Sequence, residues 1–248
     1  MKILVCISHV PDTTSKINFT NNNTEFESVG ITFVINPYDE FGLTKAMHLK
    51  EKNGASITVI NVGNASTEPT LRKALAIGAD NAVRIDADPT DANFVATVIS
   101  DYARKESYDL IITGRESIDY NGGLVPGMLA TYLDIPFINA CIGFDLEGEK
   151  AKITREIDSG KEILEGNLPL LIAGQKGLVE EKDLRIPAMR GIMMARKKPL
   201  IVIEASDAPK YTFVESYEIP EQKDACTMID ANQVEKLVKM LHEEAKVI

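Results

Sequence analysis

Residues 56–85 read SITVINVGNASTEPTLRKALAIGADNAVRI, and the fold turns on how this stretch divides. Ser56–Val62 is an apolar, β-branched run ending at Gly63, the pattern of a strand buried on both faces. Leu71, Ala74, Leu75 and Ile77 then recur at helical spacing between Thr67 and Gly78, and Ala82–Ile85 returns to strand character. Strand, helix and strand joined by short loops make the unit of a parallel sheet covered by helices. The same alternation extends both ways. Upstream, Lys2–Ser8 (KILVCIS) predicts a buried strand, and the polar 11–30 stretch with Asn21, Asn22 and Asn23 predicts a surface excursion or hairpin. Pro37 opens a helix whose positive end suits Asp39 and Glu40; Phe41, Leu43, Ala46, Met47 and Leu49 form its stripe, and Asn53-Gly54 stops it. Downstream, 91–106 predicts a helix, Tyr108–Thr113 (YDLIIT) a strand running into Gly114, and 124–133 another helix.

The pattern then changes. Residues 138–146, 150–157, 162–164 and 169–174 predict strands with few helices between them, and Glu147-Gly148 and Ser159-Gly160 are turn signals. The expectation is a set of antiparallel additions to the same sheet. Residues 199–204 (PLIVIE) predict one more strand, and 205–226 is polar and irregular. Residues 230–246 predict a final amphipathic helix with Val234, Leu237, Val238 and Leu241 on one face. That tail reads as an arm packed on a partner or docked on its own domain. The chain therefore divides into a main α/β domain over 1–204 and an arm over 205–248.

A chain of 248 residues with 44% hydrophobic and 26% charged residues suits one large globular domain. The net charge of -10 argues against nucleic acid as the main partner, because phosphate backbones need a basic face. Cys6, Cys141 and Cys226 form no CxxC pair, and neither a metal site nor a disulfide framework is indicated. The opening MKILVCISHV carries no signal-peptide pattern, and no apolar run approaches the roughly 20 residues that span a bilayer. A cytoplasmic location without membrane insertion is the expectation.

Four segments fall at strand-to-helix junctions. The most informative is GRESIDYNGGLV, comprising Gly114, Arg115, Glu116, Ser117, Ile118, Asp119, Tyr120, Asn121, Gly122, Gly123, Leu124 and Val125. In an open parallel sheet ligands bind beyond the carboxyl ends of strands, and helix N-termini favour phosphate. Backbone N–H groups at Gly122 and Gly123 could approach a phosphate closely, although the spacing fits a plain glycine turn equally well. Asn36, Pro37, Tyr38 and Asp39 form the second segment, where Asp39 could bond a ribose or simply favour the helix start. Val62 and Cys6 end the other strands. No GxSxG, HExxH or Cys/His nucleophile arrangement appears, and His9, His48 and His242 stand apart in sequence. Such a site suggests binding rather than turnover.

Several collinear segments from residue 2 to about 200 resemble the β subunits of electron transfer flavoproteins. KILVCISHVPD is similar to their KxLVxVKxVxD opening and INPYDEFGLTKAMHLKE to xNPxDExAxExAxxLKE; LRKALAIGADNAVRI, GRESIDYNGGLVPGMLATYLDIP, TREIDSGKEILEGNLPLLI and LRIPAMRGIMMARKKPL match further family segments. The resemblance implies an α/β fold of Rossmann-like or adenine-nucleotide α-hydrolase-like type, mostly parallel, with antiparallel additions and a C-terminal arm. It implies AMP at Cys6, 36–39, Val62 and 114–125, or a second FAD in electron-bifurcating members. It implies an α subunit that carries the redox-active FAD, and an electron path from dehydrogenases such as acyl-CoA dehydrogenases to a quinone oxidoreductase. Glu156 matches a carboxylate that pairs with an Arg of the α subunit. The 184–198 stretch matches a recognition loop, with Met189 at the usual position of an anchoring Leu and with Arg190 and Ile192 beside it. Two departures stand out: Leu124 replaces the family's phosphate-loop Gln, and Pro126 stands where Gly is usual. The alternatives are a bifurcating subunit with an NADH site, and a stand-alone adenine-nucleotide module.

Overall fold

The computed structural model of the chain describes residues 1–148, 150–221 and 225–248, so part of the expected arm, 222–224, lies outside the described residues. The chain opens with β1 (Lys2–Cys6), then a short ribbon of β2 (His9–Pro11) paired antiparallel with β5 (Phe33–Ile35). Between them β3 (Phe19–Thr20) and β4 (Glu25–Phe26) form the expected surface hairpin. Asn21, Asn22 and Asn23 all take positive φ at its tip, a conformation Asn tolerates better than most residues.

Next come α1 (Pro37–Asn53), β6 (Ser56–Val62), α2 (Glu68–Ile77), β7 (Asn81–Asp86), α3 (Ala92–Glu106), β8 (Leu110–Gly114) and α4 (Leu124–Leu133). Gly54, at φ 67°, caps α1 by donating its N–H to Lys50 O. The second half adds β9 (Phe137–Glu147), β10 (Lys150–Ile157), β11 (Gly160–Asn167), β12 (Leu170–Gly174), the short α5 (Met189–Ala195), β13 (Leu200–Glu204) and α6 (Val234–Lys239).

Among the described residues the main sheet has the order β11-β10-β9-β12-β8-β1-β6-β7-β13. From β9 to β13 each neighbour runs parallel, and β10 and β11 extend the far edge antiparallel. This corrects one expectation. Residues 169–174 are no antiparallel addition, because β12 inserts parallel between β9 and β8, buried throughout. Its LLIAG run lacks the alternation of a half-exposed strand, and a continuous apolar run is the mark of an interior parallel strand.

The pleat sorts the core into two layers. Ile3, Val5, Ile57, Val59, Leu110 and Ile112 pack with residues of α1 and α2 on one face. Leu4, Cys6, Ile60, Val62 and Ile111 pack with α3 and α4 on the other. Strand order reverses between β1 and β8: the chain moves outward from β1 through β6 to β7, then returns to place β8 on the other side of β1. Such a reversal opens a crevice at the carboxyl ends of the two strands.

The tail differs from its expectation too. The helix is shorter than 230–246, limited to α6 and one π-type turn at Met240–Glu244. Val234, Leu237 and Val238 are exposed, so the apolar stripe is not docked on the domain.

Candidate functional site

The switch between β1 and β8 is where the sequence-selected residues gather. Cys6 ends β1, Val62 ends β6 and Gly114 ends β8. Residues 36–39 reach the same place by another route, since β5 belongs to the small ribbon rather than the main sheet. What ties them in is Asp39. Its Oδ2 accepts the Ser8 N–H at 2.7 Å and its Oδ1 accepts the Gly114 N–H at 2.8 Å, which staples α1 across the exits of β1 and β8. Burial pushes its carboxyl up to about 7, against the pull of the Ser8 and Gly114 hydrogen bonds. A buried carboxylate so engaged is a fastener, both of its oxygens already taken by backbone donors.

Gly114 is required by the same joint. A Cβ there would lie 2.3 Å from Asp39 Oδ1 and 2.8 Å from Tyr38 Cβ. Asn36 completes the frame: its Nδ2 donates to Glu116 O at 2.8 Å and its Oδ1 accepts the Ile118 N–H at 3.4 Å. Pro37 starts α1, and Arg115 to Ile118 continue from β8 into a loop closed by a Ser117–Gly122 bridge. Gly122 donates its N–H to Ser117 O at 3.2 Å, so this amide is engaged in closing the loop. Ser117 bonds Asp119 and Asn121 takes φ 47°. Tyr120, Asn121, Gly122, Gly123 and Leu124 are exposed, with Val125 half-buried.

The donors that remain are those of α4. This helix has no side-chain cap, and its first-turn N–H groups at Leu124 and Val125 have no acceptor within the helix. Pro126, the third residue of α4, brings no N–H at all. Thr113, 4% exposed, holds a hydroxyl with no partner among the described residues. The β1–β8 register pairs Val5 with Ile112, which sets Thr113 beside Cys6 on the face of α3 and α4. The orphaned hydroxyl thus sits at the end of β8, the strand that leads through the 115–123 loop to the uncapped start of α4. Cys6 takes no ionised part, since burial, with the Asp39 charge second, raises its thiol. Burial lowers the His9 ring against the charge of Asp119, its Nδ1 pairs with Thr70 Oγ1 at 2.8 Å, and the ring stacks on Phe33 at 4.3 Å.

A wall of this region comes from residues no motif marked. Asp91 caps α3 through Phe94 N–H at 2.7 Å, and its other oxygen accepts Tyr211 N–H, Thr212 N–H and Thr212 Oγ1 at 3.1, 2.8 and 2.6 Å. Burial alone would raise its carboxyl, but the Thr212 hydroxyl and the three N–H groups outweigh it and hold it at about 2. Asn93 Nδ2 donates to Pro209 O at 3.1 Å, and Lys210 Nζ stands 4.8 Å over the Phe94 ring. The segment then ends on the hairpin: Tyr217 donates its N–H to Asn23 O at 2.7 Å, stacks on Phe19 at 4.5 Å, and meets the Tyr120 hydroxyl at 3.3 Å. Residues 205–217 thus run as a strap from the exit of β13 to the loop after β8. The Asp91 cap was legible as an Asp before a helix; the strap, resting on contacts far apart in sequence, was not. Two surface clefts lie away from this region, one of about 720 Å³ beside α4 and β9, the other of about 510 Å³ between α2 and α5.

The predicted docking residues sit elsewhere. Met189 is 75% exposed and Met193 67%, with Ile192 and Arg190 exposed beside them. The base of this segment is pinned: Arg72 Nη1 donates to Ala195 O and Lys198 O at 2.8 Å each, and Lys198 Nζ donates to Leu75 O and Ala79 O at 2.9 and 2.6 Å. Gly191 allows the close approach, since a Cβ there would lie 2.3 Å from Ala76 O. Glu156 is exposed near the end of β10, and one of its oxygens accepts a hydrogen bond from Gln175.

Fold and site together define a doubly wound α/β protein whose sequence-selected residues gather at its strand reversal. Among the described residues no helix is long and apolar enough to cross a membrane, and no cluster of His, Cys, Asp or Glu could hold a metal ion. A sequence profile of the electron transfer flavoprotein domain matches residues 25–208. The electron transfer flavoprotein subunit beta of Bacillus subtilis (strain 168) is 36% identical, covering 100% of both chains. That of Syntrophomonas wolfei is 32% identical over 93% of this chain and 90% of its own, and that of Bos taurus 32% identical over 100% and 99%. The chain belongs to the electron transfer flavoprotein family, among its β subunits.

Proposed function

We propose that the chain is the adenylate-holding, non-catalytic half of an αβ electron carrier. One observation carries the ligand reading: the orphaned Thr113 hydroxyl lies at the carboxyl end of β8, beside the β1–β8 reversal, and the chain leads from there to the uncapped start of α4. The N–H groups of Gly123, Leu124 and Val125 would hold the phosphate, with Thr113, Cys6 and Val62 lining the nucleoside side. Leu124 offers its backbone amide in place of the side-chain donor used elsewhere in the family. AMP fits this site better than FAD, because the loop is closed on itself by the Ser117–Gly122 bridge and the strap crosses above it.

In this reading FAD rides on an α subunit and supplies the redox chemistry there. The β chain supplies scaffold and surfaces. Met189, Arg190 and Ile192 present an apolar tip with positive charge for an acyl-CoA dehydrogenase, and Glu156 faces a cationic group of the α subunit. The exposed stripe of α6 packs on the same partner. A quinone oxidoreductase is the onward acceptor, and the complex works in the cytoplasm. The test is reconstitution: α and β chains are mixed and given a reduced acyl-CoA dehydrogenase. Flavin reduction in the αβ complex and none with β alone supports the assignment, whereas a nucleotide-bound β monomer that ignores α refutes it.

A further inference from the structure

Between the phosphate loop and the exposed Glu156 lies a side chain that neither surface explains. Gln175 follows β12 directly and is 4% exposed. Its Oε1 accepts from Arg115 Nη1 at 3.0 Å, and its Nε2 donates to Glu156 Oε2. Only one orientation of the amide satisfies both, since Arg can only donate and an ionised Glu can only accept. Arg115 and Glu156 are exposed, so a buried neutral group joins two charged groups at the surface, one on the loop after β8 and one near the end of β10. The backbone reinforces the joint: Arg115 N–H donates to Gly174 O at 2.8 Å and Gln175 N–H to Cys141 O at 3.1 Å, which fixes both ends to the sheet.

We infer that Gln175 is a positioning residue that couples the anion held by the 114–125 loop to the orientation of Glu156 on the partner-facing edge. The inference rests on the nucleotide reading above. Arg115 polarises the Gln175 amide, which makes its N–H₂ a stronger donor toward Glu156. That bond holds one carboxylate oxygen and leaves the other for an incoming cation. A phosphate in the loop competes for the Arg115 guanidinium and slackens the Gln175–Glu156 bond. Occupancy of the loop and engagement of Glu156 are then linked, and such a linkage acts equally in both directions.

The test uses the assembled αβ complex with AMP as probe. AMP affinity is measured for the parent, Arg115→Met, Glu156→Gln and the double variant, first with Gln175 present and then in Gln175→Leu and Gln175→Met backgrounds. Arg115 and Glu156 are surface residues, so their variants fold even where a Gln175 variant does not. Glu156→Gln, which the account places outside the loop, shifts AMP affinity roughly three- to tenfold, within the coupling found along contiguous contact networks. The shift disappears when Gln175 is replaced. Unchanged affinity in Glu156→Gln, with Arg115→Met still altering it, overturns the relay and leaves the nucleotide reading standing. A parent complex that binds no AMP overturns both.

Discussion

Replacing Asp91 separates two jobs that one carboxylate performs. One oxygen caps α3 through Phe94 N–H, and the other gathers Tyr211 N–H, Thr212 N–H and the Thr212 hydroxyl of the strap. Loss of an N-cap costs about 1 kcal/mol and is felt by the whole domain. For a chain of this size that lowers Tm by roughly 2–4 °C. The strap bonds behave differently. Hydrogen bonds to a charged acceptor are worth about 1.5–3 kcal/mol each, but once the strap lifts, its N–H groups find water. Their loss therefore appears as local opening of 205–217 and adds little to global unfolding. Asp91→Asn discriminates, because Asn caps a helix as well as Asp does, yet its amide turns a donor toward the strap donors. Asp91→Asn keeps Tm near the parent and loses amide-exchange protection at Tyr211 and Thr212; Asp91→Ala loses both. The pH dependence follows. A carboxyl held at about 2 contributes stability that is complete above its unfolded value of ~3.9 and fades as pH falls toward 2. Strap amides that stay protected in both variants would refute the reasoning.

Three further outcomes follow from the same geometry. Asp39→Ala leaves the Ser8 and Gly114 N–H groups buried without acceptors, at about 1–3 kcal/mol each in urea unfolding. Because the Asp39 carboxyl is raised to about 7, the parent gives up stability as pH rises through that value, so the deficit of the variant is larger at pH 5 than at pH 8; a deficit that grows with pH contradicts this. Gly114→Ala forces a methyl to within 2.3 Å of Asp39 Oδ1 and destabilises by about 1–3 kcal/mol, and a neutral result would show that the joint can yield. Met189→Ala, at an exposed side chain, changes stability by no more than about 0.5 kcal/mol yet slows electron transfer from an acyl-CoA dehydrogenase at constant flavin content; unchanged transfer removes the docking role.

Much of the fold was legible because local signals agreed with the global plan. The 56–85 stretch predicted its strand, helix and strand within two residues of their observed bounds, since Gly63 and Gly78 punctuate them. The misreading of 169–174 had a physical cause: a short buried strand carries no directional signal, and the turn-rich strands before it suggested antiparallel pairing. The gathering of Cys6, Val62 and Gly114 was also legible, as strand exits followed by turns. The role of Asp39 was not, because a helix-start carboxylate looks the same whether it faces solvent or staples two strands. Gln175, Thr113 and Tyr217 gave no signal at all. Each acts through a partner that the chain brings near only by folding, such as Glu156 for Gln175.

The role proposed for this chain depends on a bound adenylate at the strand reversal. The co-purified αβ complex, denatured and its released cofactors counted by chromatography and mass, decides the matter. One AMP and one FAD per complex is the predicted result; two FAD with no AMP, or FAD alone, contradicts it.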